Sequence, residues 1–524
     1  MPVPPSASAA SSRLDLELDP ATGRLTGPSL QRYRRLSARF SEVGFEAPLI
    51  SERMRLANIN SVVSRSCLAM EYGSEAPLDV LFRLFVLRFG QPAELVEAAL
   101  GPQLLNELQA DQVLYASAPG RLRAAFQILS SRELLLCKDD ILLEDPSAGL
   151  RPDLVLGAGT ASATVAMLAI HTPGGTVLDM GCGGGIQSFL AVQAGAGRTV
   201  GVDISPRALQ FAAVNTVLNG MEAGCTWRQG SFFEPLEPDQ RFDLIVCNPP
   251  FFISPSRALL YRDSGLEADG LGQLLLREIP QHLQPGGYGV VLMNWYHQTE
   301  KDWTERPAAW LQQSGCDALL VSLRCDAPMA YVHGWLNEEV FDQSQKLDQL
   351  LRDWMAYYRQ LNAGAFTLGA IVLRRRPDGS EGSIRTLVCE GPFPSTPCGR
   401  QLLRIFANHD CMEQHDSVHG ILSLRPAIPA DCELAVIQRP APDSGRLEVA
   451  GAMLRQGGGL RQEARLDPNI YRLLSTADGQ TSLADLTGQL AGLLGRDPQA
   501  LERGVAELAV RLAAGGLLEL RASE

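Results

Sequence analysis

The sequence has no C-x-x-C pair, and its 11 cysteines are an odd, scattered set. That excludes a disulfide framework and reads as reduced thiols, which fits a reducing cytosol better than secretion. Basic charge is in deficit, with 46 Lys+Arg against 59 Asp+Glu and a net charge of -13. This balance argues against a surface that grips a phosphate backbone throughout, while leaving room for a local basic groove. No run is apolar enough to suggest a bilayer span. The most apolar stretch, 154–170, is broken by Gly157, Gly159, Thr160, Ser162 and Thr164. The first residues lack the basic start and apolar centre of a signal peptide, so 1–27 reads as a disordered leader. No internal repeat is visible. The chain is therefore expected to be cytosolic and free of membrane.

What is present is a long chain of ordinary globular composition. It has 524 residues, 45% hydrophobic and 20% charged, which suits a soluble protein rather than a disordered one. At that length about three domains are expected. Residues 28–150 read as an N-terminal accessory domain: mostly helical, then two strands within 121–138 around Ser130 and Ser131. Helices followed by a small hairpin suggest a winged-helix-like module. From 151 to 376, short β-branched strands alternate with helices. The strands begin at Thr176, Thr199, Phe242 and Gly289, and a helix covers 206–218. Two further strands, 318–323 and 366–373, would close the far edge. This is the pattern of an α/β, Rossmann-like, doubly wound sheet. Leu347, Leu350, Leu351, Trp354, Met355, Tyr358 and Leu361 form a helical stripe expected to be core. Residues 374–383 look like a linker. The remainder, 385–524, reads as a C-terminal domain ending in three helices and a strand, again winged-helix-like, with Ser482 and Asp485 resembling a capping box.

Two motifs carry chemistry. In the first, Asp179-Met-Gly-Cys-Gly-Gly-Gly, Gly181, Gly183 and Gly185 allow a tight turn and close approach of a ligand. The helix that follows offers free N–H groups. A dinucleotide fingerprint G-x-G-x-x-G fails, because its last position falls on Ile186. The spacing D-x-G-x-G-x-G suits S-adenosylmethionine better, and Asp203 ends the next strand, where a carboxylate can bridge two ribose hydroxyls. In the second motif, Asn248-Pro-Pro-Phe, a buried strand delivers Asn248 to its carboxyl end. Asn248 offers an amide oxygen, and Pro249 and Pro250 lack N–H groups, so their backbone presents only carbonyls. Two fixed acceptors take both hydrogens of a planar –NH2 group, while Phe251 stacks on a flat substrate. An amide or aromatic amine is a poor nucleophile, and holding both N–H groups favours the pyramidal nitrogen that forms during attack.

With these residues in view, 154–292 resembles the class I S-adenosylmethionine-dependent methyltransferases of the Asn-Pro-Pro-aromatic group. That group includes release-factor glutamine methyltransferases and RNA or DNA amino-methyltransferases. The matching residues are Asp179 through Gly185, Val202-Asp-Ile-Ser-Pro-Arg-Ala-Leu, Asn215-Thr-Val-Leu-Asn-Gly and Asn248-Pro-Pro-Phe. The resemblance implies a seven-stranded sheet with an antiparallel last strand. It also implies cofactor contacts at Asp179, Gly181, Gly183 and Asp203, and acceptor contacts at Asn248 and Pro249. Gln229-Gly-Ser-Phe-Phe-Glu-Pro-Leu departs from the group by placing Ser231 where an Asp usually meets the adenine amino group. Adenine contact is then expected from Ser231 and the Phe232 backbone.

The acceptor is expected to be a protein glutamine, release-factor-like, because Ala268-Asp269-Gly270-Leu271 matches half of a turn found in glutamine methyltransferases and the acidic balance suits a protein partner. An exocyclic amine of adenine or guanine in RNA or DNA stays open, since the flanking modules and Arg32, Arg34, Arg35 and Arg39 offer a basic patch. A non-catalytic scaffold is the third alternative. Trp295 and Tyr296 either line the acceptor pocket or pack beneath a loop. His409, Cys411, His415 and His419 lie within eleven residues, but their spacing matches no zinc family and no metal is assigned.

Overall fold

Short runs rich in Val, Leu and Ile with few charges form the middle of one large sheet, whose strands we number β1 Thr176–Met180, β2 Arg198–Asp203, β3 Cys225–Gln229, β4 Phe242–Cys247, β5 Leu283–His297, β6 Cys316–Asp326, β7 Ala365–Arg375 and β8 Ile384–Val388. The computed structural model describes residues 14–55, 61–140, 151–255, 265–298, 303–336, 344–389, 391–440, 442–443 and 445–522. Six strands of the sheet run in the order β7-β5-β4-β1-β2-β3. The pairs β3–β2, β2–β1, β1–β4 and β4–β5 are parallel, whereas β5 meets β7 antiparallel from Tyr288 opposite Arg374 to His297 opposite Ala365. The antiparallel turn-back follows the expectation. The segment read as a linker to 383 leads directly into β8. Strand order reverses between β1 and β4, the place where open α/β sheets hold ligands.

The helix Pro206–Leu218 shows why this sheet is covered. Ser205 caps it by accepting from Ala208 N at 3.3 Å, and Pro206 opens it. Nearly every side chain along it is buried, so it is a core helix with protein on all faces rather than a surface helix.

The chain divides into two compact units. The first comprises Met1–Val165, His171–Ala318 and Cys325–Ile384; the second comprises Ala166–Ile170, Leu319–Arg324 and Arg385–Glu524. The expected boundary near 150 is therefore absent. Tyr33, Phe40, Phe85 and Leu135 share one continuous apolar cluster with Phe189, Phe211, Val214 and Trp227. Phe126 and Phe211 meet at 5.1 Å between ring centroids. An element that buries its apolar face on the next one is not a separate domain.

Residues 14–27, read as part of a disordered leader, are instead placed against the fold. Residues 1–13 lie outside the described residues, but from Leu14 onward the chain is laid down. Leu14 N donates to Gln210 Oε1 at 3.1 Å, and Gln210 Nε2 returns a bond to Leu14 O at 2.6 Å. Trp227 N donates to Thr22 O at 2.8 Å. The 121–138 stretch holds the expected hairpin, as Gln127–Ser131 against Leu134–Lys138. Arg121–Ala124 instead belongs to a different sheet, with Leu114–Ala118 and Gln91–Pro92. The helical stripe is core as expected: Trp354 and Tyr358 are 1% exposed and pack with Phe252, Tyr331 and Phe366. The side chain of Leu347 lies outside the described residues.

In the second unit, Leu422, Leu454, Leu473, Leu486, Leu512 and Leu518 form the core. The three helices expected near the end are Pro468–Leu474, Leu483–Leu494 and Gln499–Ala514. Ser482 accepts from Asp485 N at 3.1 Å, the N-cap bond of the expected capping box, and its hydroxyl rather than its backbone N–H donates to the Asp485 carboxylate at 2.7 Å. The last strand, Glu519–Arg521, pairs with Arg425–Ala427. Buried Asn408 holds that strand: its amide donates to Ala513 O and Leu518 O, and its oxygen accepts from Leu520 N. A three-stranded antiparallel sheet, Cys432–Pro440, Leu447–Gln456 and Glu463–Leu466, was not anticipated. All eleven cysteines are unpaired. Among the described residues no helix is long and apolar enough to cross a membrane.

Candidate cofactor and acceptor site

The glycine turn leaves β1 at the switch point. Gly181 and Gly183 have φ of 68° and 53°, the left-handed region. A Cβ at Gly183 would meet nothing within 4 Å, and one at Gly181 only Asn248 O at 3.9 Å. Both positions therefore open onto free space. Gly185 does not. Its φ is 89°, and a Cβ there would lie 2.6 Å from Trp227 Cη2. Its role is to admit the Trp227 ring, and it is not among the cleft-lining residues expected of it.

Asp203, at the tip of β2, accepts from Gly183 N and Ser205 N, both at 2.8 Å. Burial raises its pKa against those bonds. Asp179 is 2% exposed and accepts from Ser188 N at 3.0 Å and Ser188 Oγ at 2.9 Å, so it ties β1 to the helix after the turn. Burial pushes its carboxyl up to about 7, with Ser188 opposing and Asp203 adding to the rise.

That shift has a direction in stability. The folded chain keeps a proton on Asp179 that the unfolded chain gives up near the ordinary carboxylate value of 3.8. The contribution favouring the fold is complete below that value and is lost as pH climbs to about 7. Melting curves of wild type and Asp179→Asn should therefore diverge across this window, wild type losing ground, and run parallel above it. Curves that stay parallel from acid to neutral pH would remove the buried proton.

The acceptor motif sits one strand away. β4 places Asn248 at its tip, where Asn248 Nδ2 donates to Ser162 Oγ at 3.2 Å. With the nitrogen end committed, Oδ1 is the acceptor end of the side chain. Pro249 is buried, and the following phenylalanines divide their tasks. Phe251 lines the cleft, while Phe252 is 4% exposed and packs against Tyr331 and Trp354 at 5.4 and 5.0 Å. Ile253 N donates to Tyr331 Oη at 3.1 Å, and Tyr358 Oη donates to Ile253 O at 2.9 Å. The turn is thus fixed immediately downstream.

Asp179, Gly181, Gly183, Asp203, Ser231, Phe232, Asn248, Pro249 and Phe251 all line one cleft of about 560 Å³. Phe232 has φ of 49°, a strained position for a residue with a Cβ, and it faces this cleft. The open glycine turn and the carboxylate facing it fit S-adenosylmethionine.

Several contributors were missed. Leu136, Cys137 and 153–162 also line the cleft. Cys137 N donates to Asn215 Oδ1 at 2.8 Å, and Asn215 Nδ2 donates to Gly184 O at 2.9 Å, joining the N-terminal hairpin to the glycine turn. Asn219 adds a two-way bond with the Leu135 backbone. Both asparagines stood in the sequence motif, but their partners did not. Trp295 is fully buried and donates to Trp303 O at 2.7 Å, and Tyr296 lies under the Arg306 guanidinium at 4.1 Å. Neither lines the cleft. Asp269 pairs with Arg306 at 2.6 Å. In the second unit, donor atoms of His409, Asp410 and Glu413 lie within 4.8 Å of one another, so of the four residues singled out only His409 is in that group. His415 Nδ1 is engaged by Cys411 O at 2.8 Å.

This strand order, with a glycine turn and an acid at neighbouring tips, defines a Rossmann-like class I methyltransferase fold. Residues 171–357 match the family model of a methyltransferase domain. S-adenosylmethionine is the methyl donor of such domains. Similar curated proteins include a release factor glutamine methyltransferase of Geobacter sulfurreducens, 40% identical over 129 residues (22% of this chain, 44% of that protein). A ribosomal protein uL3 glutamine methyltransferase of Bradyrhizobium diazoefficiens is 33% identical over 147 residues (26% and 46%). A ribosomal protein L11 methyltransferase of Pelotomaculum thermopropionicum is 40% identical over 101 residues (18% and 32%). The chain thus spans less than half the length of these three relatives. A solved ribosomal protein L11 methylase from Lactobacillus delbrueckii subsp. bulgaricus aligns with a TM-score of 0.22 at 22% identity, covering 30% of this chain and 68% of that one.

Proposed function

We propose that the protein is an N-methyltransferase that moves a methyl group to a planar amide nitrogen, a protein glutamine. The observation carrying this reading is Asn248, its amide nitrogen tied to Ser162 and its oxygen left as acceptor, in the same cleft as the glycine turn. Bound S-adenosylmethionine supplies an activated methyl group. Asp203 holds the ribose hydroxyls, the turn at Gly181 and Gly183 the amino-acid end, and Ser231 with the Phe232 backbone the adenine. Asn248 Oδ1 and the Pro249 carbonyl accept from the two hydrogens of the acceptor nitrogen and orient its lone pair. Phe251 stacks on the flat amide. The nitrogen becomes cationic on transfer and its proton then leaves, so no strong base is required.

A protein acceptor is favoured over a nucleic acid because the basic patch is already paired. Arg32 meets Asp111, Arg34 meets Glu222, Arg35 meets Glu107 and Arg39 meets Glu42. Glutamine methylation in the names of similar proteins points the same way. We read the helices and small strands of 28–150 and the end of 385–524 as winged-helix-like, and place the chain in the cytosol on its unpaired thiols. Incubation with tritiated S-adenosylmethionine and a cell extract tests the acceptor. Label should be lost from the macromolecular fraction on protease digestion and kept on nuclease digestion; the reverse pattern overturns the reading.

A further inference from the structure

We propose that the strand Cys432–Pro440 is a self-pairing edge through which two copies of this chain join, antiparallel, about Val436. The inference stands apart from the methyl-transfer reading.

The strand is terminal in its three-stranded sheet, and no strand among the described residues pairs with its outer side. It also outruns its own core. Cys432 and Leu434 pack on the apolar cluster of the second unit, but Val436 and Ile437 are 41% and 46% exposed, and every residue from Ala435 to Pro440 is exposed. Its partner in the hairpin is no better covered at that end, with Leu447 64% exposed. The third strand, Glu463–Leu466, reaches only Ala452–Arg455, opposite Glu433–Val436, so beyond Val436 the hairpin of 437–440 and 447–451 is a bare two-stranded ribbon. Such a ribbon is marginal in water, and its outer strand presents unpaired N–H and C=O groups.

Edges of this kind are usually blunted by charge. Here the two charges lie three residues either side of Val436: Glu433 and Arg439. Antiparallel pairing of two copies about Val436 sets Glu433 opposite Arg439 of the second copy, twice by symmetry. It also sets Ala435 opposite Ile437 and Val436 opposite itself, a row of apolar cross-strand pairs. Any other register loses both charge pairs. Glu433 now pairs with Arg455 at 2.9 Å on an exposed surface, a weak contact that does not prevent it from taking a second cation. Pro440, which lacks an N–H, falls at the end of the paired stretch and does not interrupt it.

Sedimentation of the full chain over a range of concentrations tests this. Wild type should reach twice the chain mass, with dissociation in the micromolar range because the contact is small, less than about 1,200 Å². Glu433→Arg alone and Arg439→Glu alone should each weaken the dimer about tenfold or more, since each sets like charges opposite twice. The double variant should restore it. Melting curves of the three variants check that the exposed substitutions leave the fold intact. A wild type that remains monomeric, single reversals that leave the dimer unchanged, or a double variant that stays weak each overturn the proposal.

Discussion

Replacing Asn248 by alanine should lower methyl transfer by about 100-fold or more while leaving affinity for S-adenosylmethionine nearly unchanged. The size follows from what is lost: one fixed partner at the atom where charge develops, for which removal costs about 10²–10³ in rate. The separation from binding follows from geometry. Asn248 is at the tip of β4, whereas the glycine turn and Asp203 end β1 and β2, and Asp203 takes its bonds from Gly183 and Ser205 rather than from Asn248. The Asn248 side chain donates to Ser162 Oγ, so truncation leaves a hydroxyl that can turn to solvent. Calorimetry with the cofactor and tritium transfer into cell extract measure the two quantities. A variant that loses binding and transfer together would place Asn248 in the cofactor site instead; one that keeps full transfer would remove it from the chemistry.

Asp139→Ala should lower stability by about 3–5 kcal/mol. Asp139 is 2% exposed and accepts from Arg207 Nε at 2.9 Å, from Arg207 Nη2, and from Val155 N at 2.9 Å. Without the carboxylate, the Arg207 charge remains buried with its compensation gone, and Val155 N is orphaned. A loss of that size lowers the melting temperature by roughly 10 °C in a chain this long. Val155 belongs to the segment that lines the cleft, so cofactor affinity should fall as well. Replacing both Asp139 and Arg207 by leucine should recover much of the stability, since it is the unpaired charge that costs. Scanning fluorimetry with and without cofactor reads both effects. An Asp139→Ala variant that melts with wild type would show that the pair contributes nothing.

Six strands of the sheet, the helix 206–218, the glycine turn, Asp203 and the acceptor turn were legible in the order of residues, while β3 and β8 were not. Each depends on neighbours a few positions away: alternation and β-branching for strands, left-handed φ at Gly181 and Gly183, an Asn-Pro-Pro break after an apolar run. Gly185 was misread because its neighbour in space, Trp227, is far along the chain, and a glycine needed for packing looks the same in sequence as one needed for a ligand. The paired arginines of the first helix show the same limit, since a run of basic residues does not disclose the acids opposite it.

Local order thus settled the kind of sheet and which side chains stand at its tips. It left open how the site is walled and held. Ser162 and Asn248 are 86 positions apart, and Cys137 and Asn215 are 78 apart. The absence of a boundary at 150 belongs to the same class. Such contacts come from burying apolar faces on whichever element the folded chain brings near, and a pattern of periods and turns carries no record of that choice.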